Sequence, residues 1–206
     1  MADGSPQQTI APALLISMPQ LNDPNFARTV VLLCQMGPDG AWGLVVNRPT
    51  GQAAAPVDAE SPASPERGRG AERVTVKPSE RAARADGAME LWYGGPVQPD
   101  RGCLLLGTWP DEGEALELSQ GLYISGSASV LRRMLAGAPP PRARLLMGYA
   151  GWAPGQLENE LTQSAWLIAS ADLDIIFETR PEQIWETAIR RMGADPSLLH
   201  MSPGVH

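Results

Sequence analysis

Histidine, cysteine and lysine are scarce in this chain of 206 residues. The two cysteines, Cys34 and Cys103, belong to no CxxC or Cys/His cluster, and His200 and His206 both lie in the C-terminal tail. A structural metal site needs several such ligands at a suitable spacing, so the sequence predicts no metal site. Two unclustered cysteines are also typical of a reduced, cytoplasmic protein.

Long apolar runs are missing as well. The longest run of aliphatic or thiol residues is VVLLC at 30–34, far short of the roughly 18–20 apolar residues in a membrane span. The N-terminal residues, MADGSPQQTIAPALLIS, lack the basic start and continuous apolar core of a secretory signal. These absences predict a cytoplasmic protein without a membrane partner.

Positive charge is also limited, because the only lysine is Lys77 and the formal net charge is −7. A field of this sign repels the phosphate backbone, which supplies most of the non-specific affinity of proteins for nucleic acids. The charge balance therefore disfavours nucleic acid as a partner, although it leaves room for a local basic patch.

Glycine and proline, with 21 and 20 residues, divide the chain into short apolar segments. Such punctuation is typical of strands joined by turns. Strands are predicted at 13–17, 28–36, 41–49, 89–93, 103–108, 142–149, 167–170 and 174–179, with two more inside 115–125. A loop of about four residues at 37–40 makes a hairpin of the second and third strands. One face of the second strand carries Val30, Leu32, Cys34 and Met36.

Two helices are predicted from their end signals. Ser127 suits the N-cap of the first helix, and Gly137 with the prolines at 139–141 ends it. Its apolar face carries Val130, Leu131, Met134 and Leu135. Thr179 and Glu182 fit a capping box at the start of the second helix, which ends at Gly193.

Because the strands come in runs rather than alternating with helices, the sequence predicts an α+β fold with a mainly antiparallel sheet. The length suits one domain. Between 52 and 88, Pro, Ala, Ser, Gly and Arg dominate and apolar periodicity is lost, which predicts a flexible insertion with VTV at 74–76 as one short strand within it. We therefore expect a single domain over 11–196, interrupted by 52–88, with flexible tails at 1–10 and 197–206.

The stretch GYAGWAPGQLENE at 148–160 combines a strand end, glycines and a helix start, the context in which a phosphate-binding loop occurs. It lacks the Lys-Ser/Thr of a P-loop, and its glycine spacing does not match GxGxxG. Glu158 and Glu160, at the start of the helix, would repel an incoming anion. The stretch is therefore predicted to form a turn rather than a phosphate site.

Four segments together carry a family resemblance: ALLISMPQLNDPNFARTVVLLCQ, DGAWGLVVNRPTG, YGGPVQPDRG and GYAGWAPGQLENEL. In their order and spacing they resemble the AlgH (YqgE) family of bacterial proteins, from about Ala11 to Gly193 apart from 52–88. The resemblance implies an α+β fold with a branched sheet, a small barrel-like part and surrounding helices. It also implies a cytoplasmic protein without a known cofactor, and it supplies no activity.

Two departures from the family pattern affect the functional interpretation. Members often carry Cys-Glu-His where this chain has Cys34-Gln35-Met36, and a histidine where it has Leu106. Chemistry that uses these histidines as a base or a metal ligand is therefore not expected here.

The candidate site residues are the polar residues and thiols inside the four segments. A shared cleft for an anion, a nucleotide or a partner would use Asp23, Arg28, Asn47, Arg48, Arg101, Gln156 and Glu160, with the arginines gripping a carboxylate or phosphate. In the structural alternative, which the residue types favour, Asp23 forms an Asx turn and the arginines pair with acidic neighbours. Cys103, close to Arg101, and Cys34 are the candidate reactive thiols, although core filling is the favoured interpretation of both.

Three functional hypotheses follow. The first, preferred because no catalytic triad, metal set or phosphate loop is visible, is a non-catalytic protein that binds an unknown protein partner or small ligand, with a regulatory role. The second is a thiol-dependent enzyme using Cys103 or Cys34 with nearby arginines. The third is nucleic-acid binding through the arginine-rich part of 52–88.

Overall fold

A computed structural model describes residues 10–21, 23–54, 78–79, 88–110, 114–137 and 139–199. These residues form an α+β fold in which a curled, mainly antiparallel sheet makes a half-barrel. The strands are β1 Ala13–Ser17, β2 Val30–Gly37, β3 Gly40–Val45, β4 Pro49–Ala54, β5 Pro78–Ser79, β6 Met89–Tyr93, β7 Val97–Leu106, β8 Leu116–Ser119, β9 Leu122–Ser125, β10 Ala143–Trp152 and β11 Trp166–Ser170. The helices are α1 Ala128–Ala136, α2 Gln156–Thr162, α3 Leu173–Phe177, α4 Pro181–Arg191 and α5 Pro196–Leu199.

The sheet branches at β10. Along the main path the strand order is β11-β1-β2-β3-β10-β6-β4-β5, while β7 pairs with β10 and leads through β9 to β8. The end of β10, Ala150 to Trp152, pairs with β3, whereas Leu145 to Met147 lie between β6 and β7. One strand thus joins the hairpin side of the molecule to the half that carries α1.

The described core falls into three clusters. The α4 cluster contains Leu14, Ile16, Leu32, Leu146, Trp185 and Ile189 among others. The α1 cluster contains Leu91, Leu104, Leu106, Val130 and Leu145. The α2 cluster contains Leu15, Val31, Val45, Trp152, Leu157 and Trp166. Alternate residues of β1 and β2 enter different clusters, which explains why these strands are apolar on both faces.

Several sequence predictions are confirmed. The α+β class, the branched sheet, strand 13–17 and the two short strands within 115–125 are all present. Helix α1 buries Val130, Leu131 and Leu135, with Met134 packed beside them. The hairpin of β2 and β3 is also present, but its loop is Pro38 and Asp39 alone because Gly37 pairs with Gly40.

The prediction of a strand at 174–179 is wrong, because Leu173–Phe177 form helix α3. Asp172 caps this helix, and its side chain accepts hydrogen bonds from the backbone N–H groups of Asp174 and Ile175. A local cap thus overrides the strand preference of the consecutive isoleucines.

The capping box at Thr179 is also absent. The N-cap of α4 is Arg180 and has no side-chain cap, while the Thr179 hydroxyl donates to the carbonyl of Asp174. Met36 does not share the face of Val30, Leu32 and Cys34, because the register between β2 and β3 shifts at Cys34. It packs against the α2 cluster instead.

Strand β4 extends to Ala54, and Ala53 and Ala54 are buried, so residues 52–54 belong to the sheet rather than to the insertion. The expected strand at 74–76 lies outside the described residues. Among the described helices, none has the length and apolar character needed to cross a membrane.

Candidate functional site

The principal cavity of the described structure has a volume of about 1080 Å³. We call it the β3–β7–β10 cavity, because these strands and the start of α1 form its walls. Its polar and aromatic lining residues are Gln35, Asp39, Trp42, Gln98, Asp100, Arg101, Cys103, Ser125, Ser127 and Tyr149. This volume is slightly above the range of roughly 300–1,000 Å³ that is typical of pockets for small organic ligands.

Aromatic rings and side-chain amides shape the polar side of this cavity. Trp42 meets Tyr149 edge to face, with 6.4 Å between ring centroids, and its indole N–H donates to the Gln35 amide oxygen at 3.3 Å. On β7 the Arg101 guanidinium donates to the Gln98 amide oxygen at 2.8 Å. The cavity therefore offers ring faces, amides, hydroxyls and one cation to a ligand.

Glycines allow the strands that form this site to approach one another closely. Gly94 and Gly95 join β6 to β7 and press against β10, so that a Cβ on Gly95 would lie well under 3.0 Å from the backbone of Tyr149 and Ala150. Gly148 has φ +73 and sits where the register between β10 and β7 shifts. The shift occurs between Met147 and Tyr149, next to the ring that lines the cavity.

The Gly148–Trp152 part of the GYAGW stretch is strand rather than loop, and the turn after it is confined to 153–155. At the start of α2, the Gln156 amide oxygen accepts the Ala153 N–H at 3.0 Å, and Glu158 lies in the first turn. The turn at 153–155 is thus stabilised by a side-chain contact within the same segment.

Cys103 lines the β3–β7–β10 cavity, two residues after Arg101 on β7. Burial raises the pKa of its thiol from 9.0 to about 12, partly offset by a hydrogen bond with the backbone of Ser125. Burial also raises the pKa of Cys34 well above 9.0, and the neighbouring Cys103 adds to this effect. Both thiols are therefore protonated at neutral pH.

Asp23, Arg28, Asn47 and Arg48 lie together around the 23–30 loop, outside the walls of the β3–β7–β10 cavity. The Asp23 carboxylate accepts the Asn25 N–H at 2.8 Å, which is an Asx turn. Arg28 pairs with Glu186 at 3.1 Å and lies over the Trp185 ring, 4.6 Å from its centroid.

Asn47 and Arg48 bind the backbone of the same loop. The Asn47 amide accepts from Val30 N–H and donates to the Arg28 carbonyl, both at 2.9 Å. Arg48 donates to the carbonyls of Pro24 and Ala27 and lies over the Tyr93 ring. Asp23, Asn47 and Arg48 thus bind the backbone of the protein's own loop, whereas Arg28 connects this loop to α4.

Glu160 and Gln156 form a separate cluster with two tryptophans. One oxygen of Glu160 accepts the indole N–H groups of Trp152 at 2.9 Å and Trp166 at 2.7 Å, and the other accepts from the Gln156 amide. This carboxylate fixes α2 against β10 and β11. Of the predicted site residues, the cavity therefore contains Arg101 and Cys103, and the other seven lie elsewhere in the described structure.

Sequence reasoning did not select Gln35, Trp42, Gln98, Ser125, Ser127 and Tyr149, which line the cavity. Tryptophan and tyrosine inside the glycine-rich segments were the available signal, because small-molecule pockets are lined mainly by apolar and aromatic side chains. Within the described ranges, no group of three or more His, Cys, Asp or Glu side chains is placed to hold a metal ion.

Comparisons with known proteins agree with this architecture. The family model described as AlgH-like matches residues 14–197. A UPF0301 protein from Ruegeria pomeroyi is 38% identical over 194 residues, covering 93% of this chain and 96% of the relative. A UPF0301 protein from Myxococcus xanthus is 36% identical over 201 residues, covering 97% and 99%.

Two solved structures are also similar. The solution structure of the AlgH protein from Pseudomonas aeruginosa has 36% sequence identity and a TM-score of 0.69, with full coverage of both chains. A crystal structure of a Corynebacterium diphtheriae protein has a TM-score of 0.62 at 19% identity, covering 97% of this chain and 92% of the other. The second likeness concerns the fold alone.

Proposed function

Because this chain belongs to the AlgH-like family, we propose that it is a cytoplasmic, non-catalytic binding protein with a regulatory role, whose ligand enters the β3–β7–β10 cavity. The observation that carries the proposal is the cavity itself, about 1080 Å³ with rings, amides and hydroxyls on its walls. These groups suit a small molecule that carries a flat ring and several hydrogen-bonding groups.

The charge on the walls also favours a ligand without strong net charge. Arg101 is accompanied by Asp39 and Asp100, and its guanidinium is already bonded to Gln98. A multiply charged anion would meet both carboxylates, whereas a neutral or singly charged molecule would not be repelled strongly.

The thiol-enzyme alternative has one observation in its favour, since Cys103 and Arg101 line the same cavity. Its weakness is the pKa of about 12 for Cys103, which leaves very little thiolate at neutral pH. Nucleic-acid binding through 52–88 stays a prediction, because most of that segment lies outside the described residues.

Narrowing the cavity tests the proposal. Gly126 lines the cavity, has open space around the position of a Cβ and has no left-handed φ, so Gly126→Phe introduces a ring without backbone strain. Polar ring-containing fragments are screened by NMR, with the Trp42 indole N–H as reporter. At least one fragment is expected to shift this signal saturably, and to bind roughly tenfold more weakly or worse to Gly126→Phe.

Gly37→Phe is the matched control, because Gly37 also has open space around it but lies outside the cavity walls. It is expected to bind the same fragments as the unaltered protein. If no fragment shifts the Trp42 signal, or if Gly126→Phe binds as before, the cavity is not the binding site. Turnover in a broad metabolite screen that disappears in Cys103→Ser would replace the proposal with the enzyme hypothesis.

A further inference from the structure

A second cavity, of about 430 Å³, is bordered by β6, the residues before β10, the start of β10 and the end of α3. We call it the Arg144 cavity. Most of its lining residues are of apolar type, and they include Met89, Trp92, Pro139, Pro141 and Phe177, but polar atoms make up more of the cavity's exposed surface than apolar atoms do. Its charged wall residues are Glu90 and Arg144.

Arg144 lies in the wall of this cavity and is only 6% exposed. Its guanidinium lies 3.9 Å from the centroid of the Trp92 ring and 5.8 Å from that of Phe177. One N–H group donates to the carbonyl of Val46. Both rings and this carbonyl fix the orientation of the guanidinium plane.

A guanidinium carries five N–H donors. Among the described residues, Val46 is the one hydrogen-bond acceptor of Arg144, and no carboxylate forms an ion pair with it. Glu90 interacts with it electrostatically from a longer range, and burial raises the pKa of Glu90. Although burial lowers the pKa of Arg144 to about 10, the group is still cationic at neutral pH.

No fully buried nitrogen of Arg144 lacks a hydrogen-bond partner, so its remaining N–H groups face the open volume of the cavity, where an anion can accept from them. We propose that the Arg144 cavity binds an organic monocarboxylate, whose carboxylate accepts from the free N–H groups of Arg144 while its apolar body packs against Phe177 and the prolines. This site is separate from the β3–β7–β10 cavity and does not depend on the function proposed for it.

The shape and charge of the cavity favour a monocarboxylate over phosphate. Carboxylate oxygens match two parallel guanidinium N–H groups in one plane, and that plane is already set by the Trp92 ring. The proline, methionine and phenylalanine side chains among its lining residues can pack against a hydrocarbon body. A phosphate dianion would bring a second charge towards Glu90 and leave its remaining oxygens against proline and phenylalanine.

The test is an NMR titration of the full chain with benzoate, with the Trp92 indole N–H as reporter. A saturable shift of this signal is expected, and binding is expected to be at least tenfold weaker in Arg144→Met. Arg142→Met is the matched control, since Arg142 is more exposed and pairs with Asp174 and Glu178 at 3.2 and 2.7 Å. It is expected to bind benzoate as the unaltered chain does.

Three comparisons that keep Arg144 complete the test, even if Arg144→Met does not fold. Neutral benzamide, which has the same shape, is expected to leave the Trp92 signal in place. Inorganic phosphate is expected to bind at least tenfold more weakly than benzoate. Gly126→Phe, which narrows the other cavity, is expected to leave benzoate binding unchanged.

Equal effects of benzoate and benzamide, or no benzoate effect on Trp92, would overturn the site. Tighter binding of phosphate would overturn the assignment of a monocarboxylate. Loss of benzoate binding in Gly126→Phe would place the ligand in the β3–β7–β10 cavity and overturn the proposal as well.

Discussion

Cys103 and Arg101 lie two residues apart on β7 and both line the β3–β7–β10 cavity. A nearby cation can lower the pKa of a thiol, but only if desolvation does not outweigh it. Here desolvation is the dominant influence, while Arg101 holds the Gln98 amide and contributes no resolved effect on Cys103. We therefore predict that the thiol is a wall group rather than a nucleophile.

Thiol labelling at graded pH checks this conclusion. Because the pKa of Cys103 is raised from 9.0 to about 12, its thiolate population at pH 7.5 is lower by a factor of about 1000 than that of an ordinary thiol. Iodoacetamide labelling is expected to be correspondingly slow, and to continue rising with pH up to about 12, whereas a free thiol levels off above its pKa. Labelling of Cys103 or Cys34 as fast as a model thiol near pH 7 would show that burial does not control these groups.

Single residues also show which parts of a site a sequence can predict. The Asx turn at Asp23 involves a contact only two residues away, so its local sequence signal was sufficient. Asn47 and Arg48 bind carbonyls about twenty residues away, and Arg144 reaches its acceptor across 98 residues. Such contacts depend on which strands become neighbours, and no local pattern encodes that.

Some secondary-structure elements of this protein are determined by short-range sequence signals, and others are determined by tertiary contacts. Asp172 starts α3 through two backbone hydrogen bonds, although the sequence after it reads as a strand. In the GYAGW stretch the opposite happens, because pairing with β3 keeps glycine-rich chain extended through Trp152. The prediction of a turn rested on the glycines between a strand end and a helix start, and the pairing with β3 was not visible in the sequence.

A substitution at Gly95 tests whether the backbone geometry of the glycine-rich segments requires glycine. A Cβ there would collide with the backbone of Tyr149 and Ala150, and the residue has φ +151. Gly95→Ala is expected to lower the free energy of unfolding by roughly 3 kcal/mol or more, measured by urea denaturation.

Substitutions at two other glycines separate the cost of a positive φ from the cost of a steric clash with neighbouring backbone. Gly155 has φ +75 with open space, so Gly155→Ala isolates the backbone strain and is expected to cost about 1–2 kcal/mol. Gly37 has open space and no left-handed φ, so Gly37→Ala is expected to change stability by less than about 0.5 kcal/mol. Equal losses of unfolding free energy at all three positions would mean that the close approach of Gly95 to β10 does not cause the destabilisation.

At the scale of the whole molecule, β10 connects the three core clusters. Leu145 belongs to the α1 cluster, Leu146 to the α4 cluster, and Ala150 and Trp152 to the α2 cluster. Because β10 contributes side chains to all three clusters, unfolding of one cluster around this strand is expected to disrupt the other two. The prediction of one domain over 11–196 therefore has a physical consequence, which is unfolding as a single cooperative unit.

Leu145→Ala provides the decisive measurement, because it removes a fully buried side chain from the α1 cluster. It is expected to lower the free energy of unfolding by roughly 2–5 kcal/mol. Tryptophan fluorescence includes reporters in the other two clusters, Trp185 in one and Trp152 and Trp166 in the other. If the molecule is one unit, the fluorescence transition in urea shifts together with that of far-ultraviolet circular dichroism.

Leu116→Ala is the control, since Leu116 is 59% exposed, and it is expected to leave both transitions within about 0.5 kcal/mol of the unaltered chain. A circular-dichroism transition that moves in Leu145→Ala while the fluorescence transition stays in place would show that the α1 half unfolds on its own. The branch at β10 would then be a junction between two units. If both urea transitions shift together, the loss of the Leu145 side chain also destabilises the α4 and α2 clusters, which contain the tryptophan reporters but not Leu145. Strand β10 would then couple the three clusters.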